Sequence, residues 1–293
     1  MNSSENKLIS IMRLLRPHQW VKNGLIFAPL LFSGQWSTPL FNLSLAAFAA
    51  FCLISSAAYC LNDAADQARD REHPEKCKRP VAAQQISPFA AYLLAAVLTS
   101  CSLVLALKIS QPLAATIVCY LALQLAYTFL IKNVPILDIL LLSSLYVLRI
   151  MAGVAATSIQ ASTWIIICTW MIALMLASGK RFLEVSRTGS TSHASRPVLG
   201  KYSHHFLRHL MSSMGAATLV CYLLWCSESV QTGRFSASEV FPSALMVTFC
   251  LLRYQLLVYQ KQFDEDPAKG LLKDFQILVA VLLYVAYMAY VIY

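Results

Sequence analysis

The sequence predicts an all-α polytopic membrane protein with nine transmembrane helices. Hydrophobic residues make up 58% of the 293 residues, and charged residues only 13%, about half the share that an ordinary soluble domain carries. The apolar residues also lie in long uninterrupted segments, each near the ~20 residues that a helix needs to cross a bilayer. These observations exclude a soluble protein, and we expect residues 1–293 to form a single integral-membrane domain.

The nine spans follow from the apolar runs in chain order. No Asp, Glu, Lys or Arg occurs from Asn23 to Asn62, and Pro29, Gly34 and Pro39 divide that run into two helices. The remaining apolar segments lie at about 88–107, 112–131, 135–156, 162–179, 207–227, 240–260 and 271–292. We find no internal repeat that would indicate a second domain.

The basic residues predict which side of the membrane each loop faces. If the N-terminus is cytoplasmic, 19 of the 23 Lys and Arg residues fall in inner loops, and only Lys108 and Arg234 fall in outer loops. Such an excess is typical of cytoplasmic loops. We therefore expect a multi-pass protein of the inner (plasma) membrane, with the N-terminus and the active site cytoplasmic. The positive charge has a topological origin on this interpretation, and no nucleic acid partner is expected.

The segment after the second span carries the pattern that points to chemistry. Asn62, Asp66 and Asp70 are spaced at i, i+4 and i+8, so on a helix their oxygen atoms line one stripe. Asp63 falls within the same arc of ~100°. Oxygen ligands without Cys or His favour Mg²⁺, which commonly bridges carboxylates and substrate phosphates. The alternative is that these acids only cap and solvate a helix end.

Basic side chains follow the acids within ten residues, and they include Lys76 and Arg79. Acids for a metal beside bases for phosphate oxygens are what a diphosphate site requires. The sequence therefore predicts a Mg²⁺–diphosphate site whose metal ligands are Asn62, Asp66 and Asp70.

The same segment resembles the first aspartate-rich motif of the UbiA-type intramembrane transferases. It reads Asn62-Asp63-x-x-Asp66-x-x-x-Asp70-Arg71, then His73-Pro74-x-Lys76-x-x-Arg79-Pro80. The resemblance implies nine transmembrane helices around a central cavity, and a diphosphate donor activated by Mg²⁺. It also agrees with the number of spans that the apolar segments predict.

Further segments are similar to one branch of that superfamily, the decaprenyl-phosphate phosphoribosyltransferases. They are 15–23, Tyr127-Thr128-x-x-Ile131-Lys132, Arg149-x-x-x-Gly153, Ser178-Gly179-Lys180-Arg181-x-x-Glu184 and Arg253-Tyr254. The branch transfers 5-phosphoribose from phosphoribosyl diphosphate onto a polyprenyl phosphate. Aromatic prenyltransferases carry a second aspartate-rich motif after the sixth span, whereas here Glu184 is the only acid of the loop at about 180–206.

The resemblance and the charge pattern together assign the predicted roles. The expected catalytic residues are Asp63, Asp66, Asp70, Tyr127 and Arg149, and the expected substrate-binding residues are Lys22, Lys76, Arg79, Lys132, Lys180 and Arg181. For Arg149, which lies inside a span, the alternative is an ion pair with Asp138. Phosphoribosyl diphosphate, a polyprenyl phosphate lipid and membrane lipids are the expected partners, and a homo-oligomer is left open.

Two other functions are compatible with parts of the pattern. An intramembrane aromatic prenyltransferase would share the fold and the metal motif, but it would use a polyprenyl diphosphate donor. Gln84, Thr128 and Ile131 depart from the branch pattern and leave the exact donor and acceptor open. A transporter or channel would place ionisable residues near the bilayer midplane, whereas the charges here gather at one face.

Overall fold

The computed structural model describes residues 3–73, 75–188, 198–260, 270 and 274–293, and the regular secondary structure of these residues is helical. We number the α-helices in chain order: α1 Ser3–Leu15, α2 Ala28–Ser33, α3 Thr38–Ala65, α4 Gln67–Arg71, α5 Pro88–Ile109, α6 Gln111–Ala126, α7 Leu137–Thr157, α8 Thr163–Thr188, α9 His204–Gln231, α10 Ala237–Val240, α11 Ser243–Tyr259 and α12 Phe275–Ile292. A 3₁₀ helix precedes α2 at Pro17–Phe27, and two short ones lie at Lys76–Lys78 and Leu199–Lys201. A π-helical turn, Tyr127–Ile131, extends α6.

Eight helical segments in the described part are long and apolar enough to cross a membrane, against nine predicted spans. They are Thr38–Ala65, Pro88–Ile109, Gln111–Ile131, Leu137–Thr157, Thr163–Ser186, His204–Gln231, Ala237–Tyr259 and Phe275–Ile292. The multi-pass helical fold is therefore confirmed. The difference lies in the first predicted span.

That first span is divided between the 3₁₀ helix and α2, so neither part reaches the length of a membrane-crossing helix. Arg16 adopts a left-handed conformation with φ of 53°, which separates the 3₁₀ helix from α1. Pro29 supplies no backbone N–H to a helix that would run through it, and Gly34 leaves the helix at a φ of 72°. The prolines and glycine that suggested a boundary therefore also shorten the helix before it.

The chain divides into two compact units. The first comprises residues 1–30, 35–132 and 148–160, and the second comprises residues 31–34, 133–147 and 161–293. The first unit contains α3, α5, α6 and the second half of α7. The second unit contains the first half of α7 and α8 through α12. That residues 1–293 act as one domain stays a prediction.

Helix α3 brings the aspartate motif to its C-terminal end. Its 28 residues correspond to ~42 Å of helix, more than the ~30 Å hydrocarbon core of a bilayer. Pro39 lies in its first turn, where a missing N–H costs nothing. Because the helix carries no charge before Asp63, its polar end extends from an apolar body.

Within the first unit, the second half of α7 packs directly against the backbone of the 3₁₀ helix. A Cβ atom placed at Gly153 would lie 2.1 Å from the carbonyl oxygen of Ile26, so only glycine allows this approach. Ser110, the N-cap of α6, adds a hydrogen bond of 2.7 Å to the carbonyl oxygen of Ala155. The Gly153 contact holds the 3₁₀ helix beside the part of α7 that carries Arg149, and the Ser110 hydrogen bond joins the same part of α7 to the start of α6.

Candidate active site

The predicted stripe of oxygen ligands is formed by the end of α3 and by α4. The backbone N–H of Asp66 donates to the carbonyl of Asn62 at 2.9 Å, and that of Asp70 donates to the carbonyl of Asp66 at 2.8 Å. These i+4 hydrogen bonds continue the helical path across the boundary between the two helices. Asn62, Asp66 and Asp70 therefore lie on three successive turns, as their spacing predicts.

Asp63 is held by two arginines. Arg16 Nη2 donates to Asp63 Oδ1 at 2.6 Å and to Oδ2 at 2.8 Å, and Arg79 Nη1 donates to Oδ1 at 3.2 Å. The Asp63 side chain is 1% exposed, so both of its oxygens are committed to buried charge-assisted hydrogen bonds. The sequence predicts a catalytic role for Asp63, but this geometry favours a role in positioning Arg79.

Asp70 shares Arg79 with Asp63. Arg79 Nη1 donates to Asp70 Oδ2 at 2.6 Å, and the Asp70 side chain is 6% exposed. Burial raises the pKa of the Asp70 carboxyl, and the positive charge of Arg79 opposes that shift, with a smaller contribution from Lys76. One guanidinium thus bridges two of the predicted carboxylates, and Lys76 adds positive charge beside them.

Asp66 is paired with a lysine from another helix. Lys132 Nζ donates to Asp66 Oδ1 at 2.5 Å, and the Arg69 guanidinium lies 3.9 Å from the same oxygen. Lys132 directly follows the π-helical turn that ends α6. Thr128, within that turn, donates a hydrogen bond of 3.4 Å to the side-chain oxygen of Asn62. π-Helical turns are frequent at functional sites, and this one brings two side chains to the aspartate stripe.

Arg149 lies in a buried polar network of the first unit. Its Nε donates to Asn23 Oδ1 at 2.9 Å, and its Nη2 donates to the Tyr120 hydroxyl at 3.3 Å. The guanidinium carbon also lies 5.3 Å from the centre of the Tyr120 ring. Asp138, the alternative partner expected for Arg149, is paired with Arg181 in the second unit.

Three other predicted site residues belong to the first unit. Lys22 and Lys76 are half-buried, and Tyr127 is buried at the first position of the π-helical turn. Their predicted roles stay predictions. Pro74, part of the aspartate-rich motif, lies outside the described residues.

The second unit contains the remaining predicted pair, Lys180 and Arg181, near the end of α8. Arg181 is 1% exposed, and it contacts Asp138 at 2.7 Å and Glu184 at 2.6 Å. The Tyr202 hydroxyl donates to Asp138 at 2.6 Å and accepts from the Ile136 N–H at 2.6 Å. Burial of the Tyr202 side chain, together with its hydrogen bond to Asp138, raises the pKa of Tyr202 and keeps its hydroxyl protonated. Arg181 and Tyr202 therefore both bind Asp138, which joins α8 and the segment before α9 to the start of α7 within this unit. Lys180 is half-buried.

The basic loop that favoured the phosphoribosyl branch is described only in part. Residues 189–197, including Arg196, and the side chain of Arg187 lie outside the described residues. Farther along the second unit, Arg253 contacts Asp274 at 2.8 Å, and this hydrogen bond lowers the pKa of Asp274. Asp274 also caps α12 by accepting from the Ile277 N–H, so Arg253 has a structural partner.

Sequence reasoning missed two contributors in the 15–23 segment. Arg16 binds Asp63, and Asn23 binds Arg149, although neither was assigned a role. Both residues belong to a segment that resembled the phosphoribosyl branch, so the resemblance marked the segment without identifying the contacts. Their partners lie 47 and 126 residues away in sequence.

The aspartate stripe offers oxygen donors of the kind that Mg²⁺ takes from proteins. Among the described residues, no group of three or more His, Cys, Asp or Glu side chains is arranged to hold a metal by itself. The stripe offers two carboxylates, Asp66 and Asp70, and the amide oxygen of Asn62. Mg²⁺ usually takes only one or two carboxylates from a protein and completes its shell with substrate phosphates and water.

The apolar helices define a multi-pass membrane protein, and comparisons with known proteins give its family. The chain matches the UbiA prenyltransferase family over residues 24–279. It therefore belongs to the UbiA prenyltransferase family, as the aspartate-rich motif indicated.

Individual relatives and solved structures agree with this assignment. The chain is 36% identical over 255 residues to the decaprenyl-phosphate phosphoribosyltransferase of Mycobacterium tuberculosis (strain ATCC 25618 / H37Rv), covering 85% of this chain and 83% of that protein. It is 32% identical over 282 residues to the protein of the same name from Mycolicibacterium smegmatis, covering 92% and 88%. A UbiA homolog from Archaeoglobus fulgidus bound to GPP and Mg²⁺ superposes with a TM-score of 0.72 at 17% identity, covering 97% and 99%, which shows the shared fold.

Proposed function

We propose that this protein transfers 5-phosphoribose from phosphoribosyl diphosphate to a polyprenyl phosphate in a Mg²⁺-dependent reaction. The observation that carries the proposal is the similarity, over 85–92% of the chain, to proteins named decaprenyl-phosphate phosphoribosyltransferase. The site supports it chemically, because carboxylates for a metal lie in direct contact with Arg79 and Lys132, which suit phosphate oxygens.

The residues of the first unit provide a route for the chemistry. A bound Mg²⁺ would supply positive charge to the diphosphate as the anomeric C–O bond breaks. Arg79, Lys76 and Lys132 would hold phosphate oxygens, where preorganised cations stabilise the negative charge that develops on the leaving group. The acceptor phosphate is already an anion at neutral pH, so the reaction needs no strong general base.

Other residues are proposed to orient the two substrates. Lys22 and Tyr127 are candidates for positioning them, with the prenyl chain along apolar helices. Arg149 is proposed to act from its hydrogen bonds with Asn23 and Tyr120. In the second unit, Lys180 and Arg181 are the candidates for phosphate contacts, and Arg181 would contact phosphate in addition to its two carboxylate partners.

A prenyl transfer reaction is the second candidate. Solved structures of the Archaeoglobus fulgidus homolog are bound to GPP or DMAPP together with Mg²⁺. A metal–diphosphate site would serve a prenyl diphosphate as well as phosphoribosyl diphosphate. The acceptor and the group transferred therefore distinguish the two reactions.

The two reactions can be separated with one purified preparation in lipid nanodiscs. We expect labelled phosphoribosyl diphosphate and a polyprenyl phosphate to give a labelled lipid, and chelation of Mg²⁺ to stop the reaction. Parallel samples contain a prenyl diphosphate and 4-hydroxybenzoate. Product only in those samples would overturn the phosphoribosyl proposal in favour of the prenyl transfer reaction.

We propose that the N-terminus and the aspartate site face the cytoplasm, because the basic residues are concentrated in the loops on that side. In a background lacking the exposed Cys101 and Cys119, a membrane-impermeant thiol reagent should label Cys77 only after inverted vesicles are prepared. A cysteine introduced by Ser236→Cys, at the exposed N-cap of α10, should be labelled in intact cells. The reversed labelling pattern would show that the orientation is wrong.

A further inference from the structure

Each of the three aspartates of the site is in close contact with a basic side chain, and Arg69 lies a little farther from Asp66, at 3.9 Å. Arg16 contacts Asp63 at 2.6 Å, Arg79 contacts Asp70 at 2.6 Å and Lys132 contacts Asp66 at 2.5 Å. Side-chain exposure is low throughout, from 1% for Asp63 to 24% for Arg79. In surroundings with so little water, an added charge of either sign is weakly screened. The local charge balance therefore decides what can bind.

Two of these cations occupy carboxylates that are expected to bind metal. Lys132 Nζ lies at 2.5 Å from Asp66 Oδ1, and Arg79 Nη1 lies at 2.6 Å from Asp70 Oδ2. A Mg²⁺ ion bound at ~2.1 Å to the same oxygens would lie within ~5 Å of these nitrogens. The metal would be repelled strongly at that distance, so it binds well only if the lysine and the arginine leave the carboxylates.

The structure gives both cations a short path away from the carboxylates. Arg79 also contacts Asp63, which Arg16 holds in place, so it would keep one carboxylate partner if its contact with Asp70 were lost. Lys132 extends from the end of the π-helical turn on a flexible four-carbon stem. A diphosphate bound beside the metal offers oxygens to which both cations can transfer.

We infer that Lys132 and Arg79 act as exchangeable counterions: they neutralise Asp66 and Asp70 while the donor is absent, and they transfer to phosphate oxygens when metal and diphosphate arrive together. The inference rests on the proposed function, since it takes the aspartates as metal ligands. Metal alone would leave two positive charges uncompensated, and diphosphate alone would leave negative charge uncompensated. Each ligand therefore binds weakly by itself and strengthens the binding of the other.

Binding of Mn²⁺ without any phosphate compound tests the first half of this inference. The signal of free Mn²⁺ in electron paramagnetic resonance is measured during titration of protein in nanodiscs. We expect weak binding by the wild type and binding about tenfold or more tighter by Lys132→Gln, since one charge-assisted contact no longer competes. Lys132→Arg keeps the counterion and should match the wild type. Adding Asp66→Asn to Lys132→Gln should remove the gain.

Lys78→Gln is the matched control for Lys132→Gln, because it makes the same substitution and removes one positive charge from the neighbouring 3₁₀ helix Lys76–Lys78. Lys78 is 71% exposed and pairs at 3.1 Å with Glu75, which is not a member of the aspartate stripe. We expect its Mn²⁺ affinity to equal that of the wild type. If Lys132→Gln does not fold, Arg79→Gln tests the same exchange at Asp70 with the same expected sign.

Binding of labelled pyrophosphate by equilibrium dialysis tests the second half. The wild type should retain pyrophosphate at least tenfold better with Mg²⁺ than in chelator, and Lys132→Gln should lose about tenfold of the affinity measured with Mg²⁺. The inference would be overturned if Lys132→Gln and Lys78→Gln had equal Mn²⁺ affinity. It would also be overturned if the wild type bound Mn²⁺ tightly in the absence of any phosphate compound. These measurements contain no sugar and no acceptor, so they can fail while phosphoribosyl transfer is observed. Absence of transfer by the wild type would instead reject the proposed function.

Discussion

Asp66→Asn and Asp70→Asn are each expected to lower the transfer rate by at least about a hundredfold while the protein still folds and inserts. Each substitution keeps the size of the side chain but removes a charged metal ligand, and metal stabilisation of a leaving diphosphate is worth several kcal/mol. The rate is measured with labelled donor across a Mg²⁺ titration and normalised to folded protein. The loss should persist at saturating Mg²⁺.

Glu75→Gln provides the matched control for the two aspartate variants. Glu75 lies in the same segment, but it is 59% exposed and pairs with Lys78 rather than with a residue of the stripe. Its turnover should stay near that of the wild type. If both aspartate variants keep near-normal turnover at every Mg²⁺ concentration, the acids only cap and solvate the end of α3.

Arg181→Gln is expected to destabilise the protein by about 3–5 kcal/mol, because it leaves the buried Asp138 carboxylate without its cation. Asp138 is fully buried, and Arg181 is its ion-pair partner at 2.7 Å. The measurement is the thermal unfolding midpoint in nanodiscs, monitored by the far-ultraviolet circular dichroism signal of the helices. We expect a clear drop in the midpoint.

Lys180→Gln is the control for Arg181→Gln, since it removes one positive charge from the adjacent, half-buried position. It should change stability by less than about 1 kcal/mol and should raise the KM for a phosphorylated substrate if Lys180 contacts phosphate. An unchanged midpoint in Arg181→Gln together with a raised KM would support the substrate-binding role that the sequence predicts for Arg181.

Most of the fold could be predicted from the sequence, because membrane spans follow from the length and polarity of local segments. Eight predicted spans correspond to helices of sufficient length and hydropathy. The exception is the run before Gly34. There the hydropathy is suitable, but the proline positions and the left-handed Arg16 produce a 3₁₀ helix and a short α-helix. Backbone conformation decided that segment, and hydropathy does not report it.

The aspartate stripe was also predictable, because its i, i+4, i+8 spacing is a local property of a helix. The partners of its members were not. Arg16 and Lys132 come from segments 47 and 66 residues away from the aspartates that they contact. The same limit explains Arg181, for which positive charge suggested phosphate binding, whereas the fold supplies a buried carboxylate 43 residues earlier. Local pattern gives the type of chemistry, and tertiary structure decides which charges are already neutralised.

The close approach at Gly153 gives a way to find other chains built like this one. The backbone of Ile26 fills the space of a Cβ at position 153, so the contact that brings Asn23 to Arg149 requires a glycine one turn after the arginine. A genome scan for Asn followed about 126 residues later by Arg-x-x-x-Gly would therefore collect sequences by how two of their helices touch. Because this pattern does not include the aspartates, it and the aspartate-rich motif can be used as two independent search criteria.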